Sequence, residues 1–495
     1  MTGLITPQMM GVAMFGAVFL LLMFGFPVAF TLVGTAVGFA FIGSLFGLFD
    51  FRLLSALPLR LTGLMENDLL QAVPLFLYLG VILQRTTLAA DLLEGLSALF
   101  GQRAGGLGIA TLIVAVLLAP TTGAVGATVL TIGLLALPSM LKARYDRRLA
   151  AGIVCAAGTL GTILPPSIVL ILLGGAMQGA TIEAQLARGA VVTQPLTVED
   201  IYLGAVGPVG VLLVLYLTYI AWTAWRTPQR CPPLEWRDGR AKPSFKRLVV
   251  TLFTPMLLIA AMLALIVSGL AYTVEAAACG AIAATLYTWL RGELNAQRLA
   301  ETVRLVAKLT AMVFMLLIGA STFTLVFRGF EGDLLVARIL GNVPGGTSGA
   351  VAAVMAATFV LGFFLDALEI IFLVVPIAMP PLLFLGADPV WLAVLTAINL
   401  QTAFLLPPFG FALFFLRGVA PPELRTTEIY RGVVPFIAIG LVVLTLVWLL
   451  PGIVTALPRR VDASDATSPT VTPGNWPPIP PPPDSAPDSP DAEPP

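Results

Sequence analysis

The sequence predicts an all-α polytopic membrane protein made of two inverted structural repeats, each holding a re-entrant helical hairpin and a Pro-broken transmembrane helix. Three observations support this. Hydrophobic residues make up 58% of the 495 residues and charged residues 11%, whereas a soluble domain carries roughly 25% charged residues. Apolar runs of helical length fill most of the chain, and a set of short motifs recurs at one offset. The bilayer must therefore serve as the solvent for most of the chain.

Ten apolar runs could supply membrane spans, because a crossing needs about 20 apolar residues. They cover roughly 8–24, 27–46, 71–85, 148–175, 202–225, 248–268, 273–290, 309–327, 391–416 and 433–450. Two of the runs, 148–175 and 391–416, contain a Pro-Pro pair and are predicted to unwind there, because proline cannot continue a helix.

Two further apolar stretches, 106–140 and 347–382, are broken near their middles by polar, Gly or Pro residues. Each half is short for a full crossing, so both stretches are predicted as re-entrant hairpins. Asp91–Arg103 and Glu331–Val343 alternate polar and apolar residues at helical spacing. They are predicted either as interfacial helices that brace a moving unit or as plain amphipathic linkers.

Three motifs recur in order along the chain. Asp91-Leu92-Leu93 returns as Asp333-Leu334-Leu335, Gly105-Gly106 as Gly345-Gly346, and Pro165-Pro166 as Pro407-Pro408, at offsets of 242, 240 and 242 residues. A shared offset indicates an internal repeat. We predict a first repeat at 1–225, a linker at 226–247, a second repeat at 248–450 and a Pro-rich disordered tail at 451–495.

The distribution of Lys and Arg predicts the orientation. With 142–148 and 226–247 in the cytoplasm, 20 Lys and Arg residues face inward and 7 face outward, as the positive-inside rule requires. The first hairpin then opens to the cytoplasm and the second to the outside, so the repeats are inverted. Both termini are expected outside.

Composition also excludes several classes of function. The net charge is zero, which argues against nucleic-acid binding. The chain has no histidine, so histidine-based hydrolase triads and HExxH zinc sites are absent. Its three cysteines stand apart along the chain. The sequence indicates no enzyme and no cofactor, although an acid dyad in a membrane-embedded enzyme and a passive channel stay as minor alternatives.

The first half places its candidate binding residues at the hairpin tip and at the Pro-Pro break. Broken backbone at membrane depth is tolerated only inside protein or beside a water-filled cavity, where carbonyl and hydroxyl oxygens can coordinate a small cation. A Thr/Gly surface for close helix packing, or a proline kink without a ligand, are the alternatives. The candidates are Thr121, Thr122, Gly123, Gly126, Gly158, Thr159, Thr162, Pro165, Pro166 and Ser167.

The second half has matching breaks, and two broken elements at corresponding positions of each half indicate a binding site at the midplane. Its candidates are Asp366, Glu369, Asn399, Gln401, Thr402, Pro407, Pro408 and Gly410. The two carboxylates are costly in an apolar run, so they coordinate a cation or gate the substrate, unless they only cap a helix. Glu275, at the start of a span, is better explained as a helix-start charge. The candidate ligands for such a cation are Thr121, Thr122, Thr159, Asp366 and Asn399.

These motifs resemble those of the large membrane subunit of TRAP transporters (tripartite ATP-independent periplasmic, DctM-like), over about residues 5–455. The resemblance rests on Gly105-Gly106, Thr121-Thr122-Gly123-Ala124-Val125-Gly126, Gly158-Thr159-Leu160-Gly161, Pro165-Pro166-Ser167, Thr273-Val274-Glu275-Ala276-Ala277-Ala278, Asn399-Leu400, Pro407-Pro408 and Gly410.

The resemblance implies an elevator-type ion-transporter fold in a bacterial inner membrane. It further implies import of an organic acid, chiefly a carboxylate, driven by a sodium gradient. The implied partners are a small four-span membrane subunit, a periplasmic substrate-binding protein, the substrate and the lipid bilayer, with no nucleic acid. A stand-alone sodium-carboxylate symporter of related fold is the alternative.

Overall fold

The computed structural model describes residues 6–122, 125–188, 196–234 and 245–465. Across these ranges every regular element is a helix and no strand occurs, which confirms the all-α class. The first half contains α1 Pro7–Met23, α2 Val28–Leu45, α3 Leu57–Met65, α4 Asp68–Gln84, α5 Leu88–Phe100, α6 Gly106–Thr122, α7 Val125–Lys142, α8 Arg147–Thr159, α9 Ile168–Ala187 and α10 Val198–Arg226.

The second half contains α11 Phe245–Val267, α12 Thr273–Leu290, α13 Ala296–Gly329, α14 Gly332–Gly341, α15 Gly346–Leu361, α16 Ala367–Leu373, α17 Val375–Phe384, α18 Pro389–Ala403, α19 Phe411–Val419, α20 Thr426–Leu449 and α21 Gly452–Asp465. Short 3-10 helices lie at Phe51–Ala56, Leu160–Thr162 and Pro228–Arg230.

The same order of elements runs through both halves. An amphipathic helix (α5 or α14) precedes a hairpin (α6–α7 or α15–α17), a broken helix (α8–α9 or α18–α19) and a long closing helix (α10 or α20). The second hairpin differs from the first because its returning limb bends by 56° between α16 and α17. Six described helices are long and apolar enough to cross a membrane, or up to eight if each bent pair is one span.

Residues 452–465 correct the predicted disordered tail. They form α21, which turns back at Pro451 and packs on α10, where a Cβ added to Gly207 would lie 2.8 Å from the backbone oxygen of Ile453. Val454 is fully buried in this contact. The prediction of disorder was wrong here. Burial against the glycine face of α10 stabilises a helix that the local sequence pattern indicates only weakly. Residues 466–495 lie outside the described part.

Two helix crossings bring helix backbones into direct contact. A Cβ added to Gly432 of α20 would lie 2.0 Å from the carbonyl oxygen of Arg148 in α8, and one added to Gly152 of α8 would lie 2.1 Å from the Gly432 oxygen. Similarly, a Cβ on Gly319 of α13 would lie 2.7 Å from the Ala29 oxygen of α2. Small residues let helix backbones touch in this way. The first repeat's broken helix is thus held directly against the second repeat's closing helix.

Ion pairs tie α5 to the loop between α12 and α13. Arg291 Nη2 lies 2.5 Å from Asp91 Oδ2, and Arg85 Nη1, just before α5, lies 2.7 Å from Glu301 Oε2. Both pairs are partly exposed, and surface pairs of this kind contribute little to stability.

Candidate functional site

Both predicted breaks are present. The helical backbone of α8 ends at Thr159, a 3-10 turn follows at Leu160–Thr162, and α9 resumes at Ile168. In the second half α18 ends at Ala403 and α19 begins at Phe411. Proline lacks a backbone N–H and disfavours helical geometry in the residue before it. The Pro165-Pro166 and Pro407-Pro408 peptide bonds are both cis.

Two side-chain hydrogen bonds of Gln401 join the two repeats at these breaks. Gln401 Nε2 donates to Thr159 Oγ1 over 3.1 Å and to the Tyr216 hydroxyl of α10 over 3.3 Å. Positions 159 and 401 are 242 residues apart, the offset that also separates the two Pro-Pro pairs. Equivalent points of the two repeats therefore meet at this hydrogen bond.

Gln401 also presents an unused acceptor at this meeting point. The residue is fully buried, and its Oε1 atom accepts no hydrogen bond from any described residue. A buried polar atom without a partner costs roughly 1–3 kcal/mol. Such an oxygen is suited to a ligand that brings a positive charge or a donor.

The hydroxyls of the first break bond to backbone carbonyls that the unwinding sets free. Thr162 Oγ1 donates to the Thr159 oxygen over 2.9 Å, and Ser167 Oγ donates to the Thr162 oxygen over 3.0 Å. Thr159 Oγ1 donates to the Ala156 oxygen over 3.0 Å. These short local bonds satisfy backbone groups that water cannot reach.

The second hairpin docks on the second break through Asn399. Its Nδ2 donates to the Met355 oxygen over 2.9 Å and to Thr358 Oγ1 over 2.8 Å, both on α15. At the tip, the ring of Phe364 lies 5.8 Å from that of Phe409 inside the break. The hairpin tip and the unwound segment therefore meet, as the sequence predicts.

The two carboxylates lie together at the tip of this hairpin. Asp366 is the N-cap residue of α16, and its backbone N–H donates to Glu369 Oε2 over 3.0 Å. Glu369 therefore caps the helix, which was the alternative to a role in binding. Glu275 likewise accepts from the backbone N of Tyr272 over 2.9 Å at the start of α12, in agreement with the helix-start interpretation.

Several predicted site residues have packing contacts. A Cβ added to Gly126 would lie 2.6 Å from the Phe415 ring, and one added to Gly158 would lie 2.2 Å from Val129 Cγ2. Thr402 packs on Gly440 of α20 and donates to the Ile398 oxygen of its own helix over 2.9 Å.

The remaining predicted residues are placed as follows. The Gly410 backbone N donates to the Leu406 oxygen over 2.9 Å, and the Pro408 oxygen accepts from the Tyr430 hydroxyl over 3.0 Å. Pro165, Pro166 and Pro407 lie in the breaks themselves. The side chains of Thr121 and Thr122, and the whole of Gly123, fall outside the described part of the chain, so their role stays a prediction.

Sequence reasoning missed two members of the site. Tyr216 and Thr358 lie in runs that read as an ordinary span and an ordinary hairpin limb. A tyrosine in the middle of an apolar span was the available signal, because its hydroxyl usually finds a partner when it is buried.

Comparison with known proteins identifies the family. The model of the "Tripartite ATP-independent periplasmic transporter, DctM component" matches residues 15–453. The chain belongs to the DctM family. It is therefore a transporter permease component and not an enzyme, and it is a multi-pass protein of the inner membrane.

Relatives within the DctM family include large permease proteins from other bacteria. The chain is 27% identical over 413 residues to the C4-dicarboxylate TRAP transporter large permease protein DctM of Pseudomonas aeruginosa, covering 83% of this chain and 90% of the relative. It is 26% identical over 451 residues to the sialic acid TRAP transporter permease protein SiaT of Haemophilus influenzae, covering 89% and 67%.

Among solved structures, the fold is similar to that of the Alcanivorax borkumensis YdaH transporter, described as having an unusual topology. The TM-score is 0.59 at 18% identity, with 81% of this DctM-family chain and 88% of the other covered. This likeness supports the elevator-type fold predicted from the sequence.

The contacts of Asn399 lead to a stability prediction. Asn399→Asp replaces the donating amide by a carboxylate that faces the Met355 oxygen. We therefore expect the free energy of unfolding to fall by about 1–3 kcal/mol or more. Hydrogen exchange of the peptide covering 346–361 should rise. The control is Thr396→Val, one turn earlier, whose hydroxyl bonds only within its own helix. Equal exchange in the two variants would contradict the docking role of Asn399.

Proposed function

We propose that this chain is the large transmembrane subunit of a TRAP transporter that imports an organic acid, a carboxylate, by sodium-coupled secondary transport. Family membership supports the transporter class, and relatives named for C4-dicarboxylates and sialic acid support an organic acid. The observation that carries the proposal is the Gln401–Thr159 bond, which brings two unwound helices together beside an unpaired buried oxygen. Sites of secondary transporters form where broken helices of two repeats meet.

Sodium, as a co-transported substrate, suits the chemistry of this meeting point. The proposed ligands are Thr121, Thr122, Thr159, Asp366 and Asn399, and Gln401 Oε1 adds an acceptor that has no protein donor. All of these side chains offer oxygen atoms, which are the ligands that hard cations take. A cation bound there would offset the cost of leaving the Gln401 oxygen unpaired.

The substrate carboxylate would be bound by N–H and hydroxyl donors, because no Lys or Arg lies in the breaks. The helix that resumes after each break, α9 at Ile168 and α19 at Phe411, begins beside the site. A helix N-terminus carries unpaired backbone donors and a partial positive charge. Anion binding at these starts complements cation binding at the freed carbonyls.

Transport would follow an elevator mechanism. The unit that moves would contain the hairpins and broken helices, which α8 and α20 lock together through Gly152 and Gly432. The fixed unit would contain α2, α4 and α13, of which α2 and α4 both pack on α13. The amphipathic helices α5 and α14 would brace the moving unit at opposite membrane faces.

The proposed partners are a small four-span membrane subunit and a periplasmic substrate-binding protein that delivers the acid. In the proposed orientation both termini are periplasmic, while 142–148 and 226–247 are cytoplasmic. The start of this linker is attached to the first repeat, because Arg230 Nη2 lies 2.9 Å from Asp146 Oδ2.

The tripartite assignment predicts the requirements for uptake. Proteoliposomes that hold this chain should accumulate labelled acid only when sodium, the small subunit and a loaded binding protein are all present. The sequence contains no GxxxxGK(S/T) nucleotide-binding loop through which ATP could drive transport. Omitting each component in turn is the measurement. Sodium-driven uptake by the chain alone would favour the stand-alone symporter instead.

The sodium assignment predicts the effect of removing one charge. Asp366→Asn should still cap α16, since Asn is a good N-cap, but should raise the sodium concentration for half-maximal uptake at least about tenfold, or about 1.4 kcal/mol. The control is Asp388→Asn, the N-cap of α18, whose carboxylate accepts from the Trp391 backbone N over 2.9 Å. An unchanged sodium dependence would remove Asp366 from the site.

The orientation predicts which loops an impermeant thiol reagent reaches. In a background without Cys231 and Cys279, Ala190→Cys should react in intact spheroplasts and Arg240→Cys should react only after permeabilisation. Labelling measured by gel shift distinguishes the two. The reverse pattern would overturn the inverted assignment of the repeats.

A further inference from the structure

A cavity lies along α9, on the side of that helix that faces α13 and α4. It has a volume of about 400 Å³ and separates α3, α4 and α13 on one side from α9, α16 and α17 on the other. Its position puts it between the helices proposed as the fixed unit and those proposed to move. Cavities of this size bind small organic ligands.

Charged groups at the rim of this cavity leave an excess of positive charge. Arg60, Arg328 and Glu183 all line it. Arg328 Nη2 lies 2.6 Å from Glu183 Oε2, so this pair is neutralised. Arg60 has no hydrogen bond or ion pair with any residue whose side chain the structure describes. These three side chains together carry one net positive charge.

Two donors on one wall are buried without partners. Neither Arg328 Nε nor the Thr324 hydroxyl has a hydrogen-bond partner among the described residues, and Thr324 is 5% exposed. Positions 324 and 328 are four apart on α13, so they share a helix face, and both line the cavity. Buried polar groups in a native structure usually have a hydrogen-bond partner. Because these two groups are donors beside a positive charge, an anion is the partner they favour.

Most of the rest of the cavity wall is apolar, with Asn67 and Ser321 as the other polar side chains. Leu69, Leu70, Ile171, Leu317 and Phe372 line it. An inorganic anion would leave this surface uncovered, whereas an apolar body fills it and gains from burial. The combination fits an organic anion with a charged end at Arg60, Arg328 and Thr324.

We propose that this cavity is a second binding site, for a carboxylate attached to an apolar or aromatic body. The carboxylate accepts hydrogen bonds from Arg328 Nε and Thr324 Oγ1 and neutralises Arg60, while Glu183 keeps its bond to Arg328 Nη2. The same chemistry is offered by an organic acid from the aqueous phase and by a fatty acid from the bilayer. Binding here requires neither sodium nor transport, so it stands or falls independently of the proposed function.

The test uses the full chain in nanodiscs of zwitterionic phosphatidylcholine, without sodium, with 2-naphthoate as the probe. Equilibrium dialysis should show saturable binding that the neutral analogue 2-naphthalenemethanol does not compete for. Arg60→Gln should weaken the binding at least about tenfold, as loss of one charge-assisted contact does. Thr324→Val should weaken it several-fold while conserving the shape of the wall. Arg52→Gln, on the preceding 3-10 helix and outside the cavity, is the matched control and should leave it unchanged.

Each outcome decides the proposal. Absence of saturable binding, equal affinity for the neutral analogue, or equal effects of Arg60→Gln and Arg52→Gln would overturn it. If Arg60→Gln yields too little folded protein, a Thr324→Val affinity equal to that of the unmodified chain overturns it alone. With a few mole per cent of oleate in the nanodisc, loss of 2-naphthoate binding assigns the site to a bilayer fatty acid, and retention assigns it to an aqueous organic acid.

Discussion

The architecture depends on satisfying the backbone groups that two broken helices expose far from water. In hydrocarbon each such group would cost several kcal/mol, so both breaks must be enclosed by protein. The first is satisfied by Thr162 and Ser167 and the second partly by Tyr430. Each hairpin covers a break, and the closing helices complete the enclosure. Among the described residues, Gln401 keeps a buried side-chain oxygen without a hydrogen-bond partner at their meeting point.

Glycine residues let the helices around the breaks pack closely against one another. At Gly152 and Gly432 two backbones touch, and a methyl group on either would force the broken helix away from α20. In contrast, α5 carries partly exposed ion pairs such as Arg291–Asp91 beside its buried apolar face. The close backbone packing at Gly152 and Gly432 tolerates no sliding, whereas surface ion pairs re-form at little cost.

The charges are arranged in two separate environments. Acidic side chains and neutral oxygens lie at the hairpin and breaks, where a cation is expected, while Arg60 and Arg328 line a cavity between α13 and α9. The separation keeps a cation site free of competing positive charge.

The sequence by itself determined the features that depend on local chemistry. The composition determined that the chain spans a membrane. Pro165-Pro166 and Pro407-Pro408 determined where helices unwind, and Glu275 marked a helix start. Only the tertiary structure decided which atoms meet: Gln401 with Thr159 across 242 residues, Arg328 with Glu183 across 145, and α21 with α10. Periodicity and proline act within a few residues, so the sequence displays them. Contacts between distant helices depend on how whole faces pack, which no local pattern specifies.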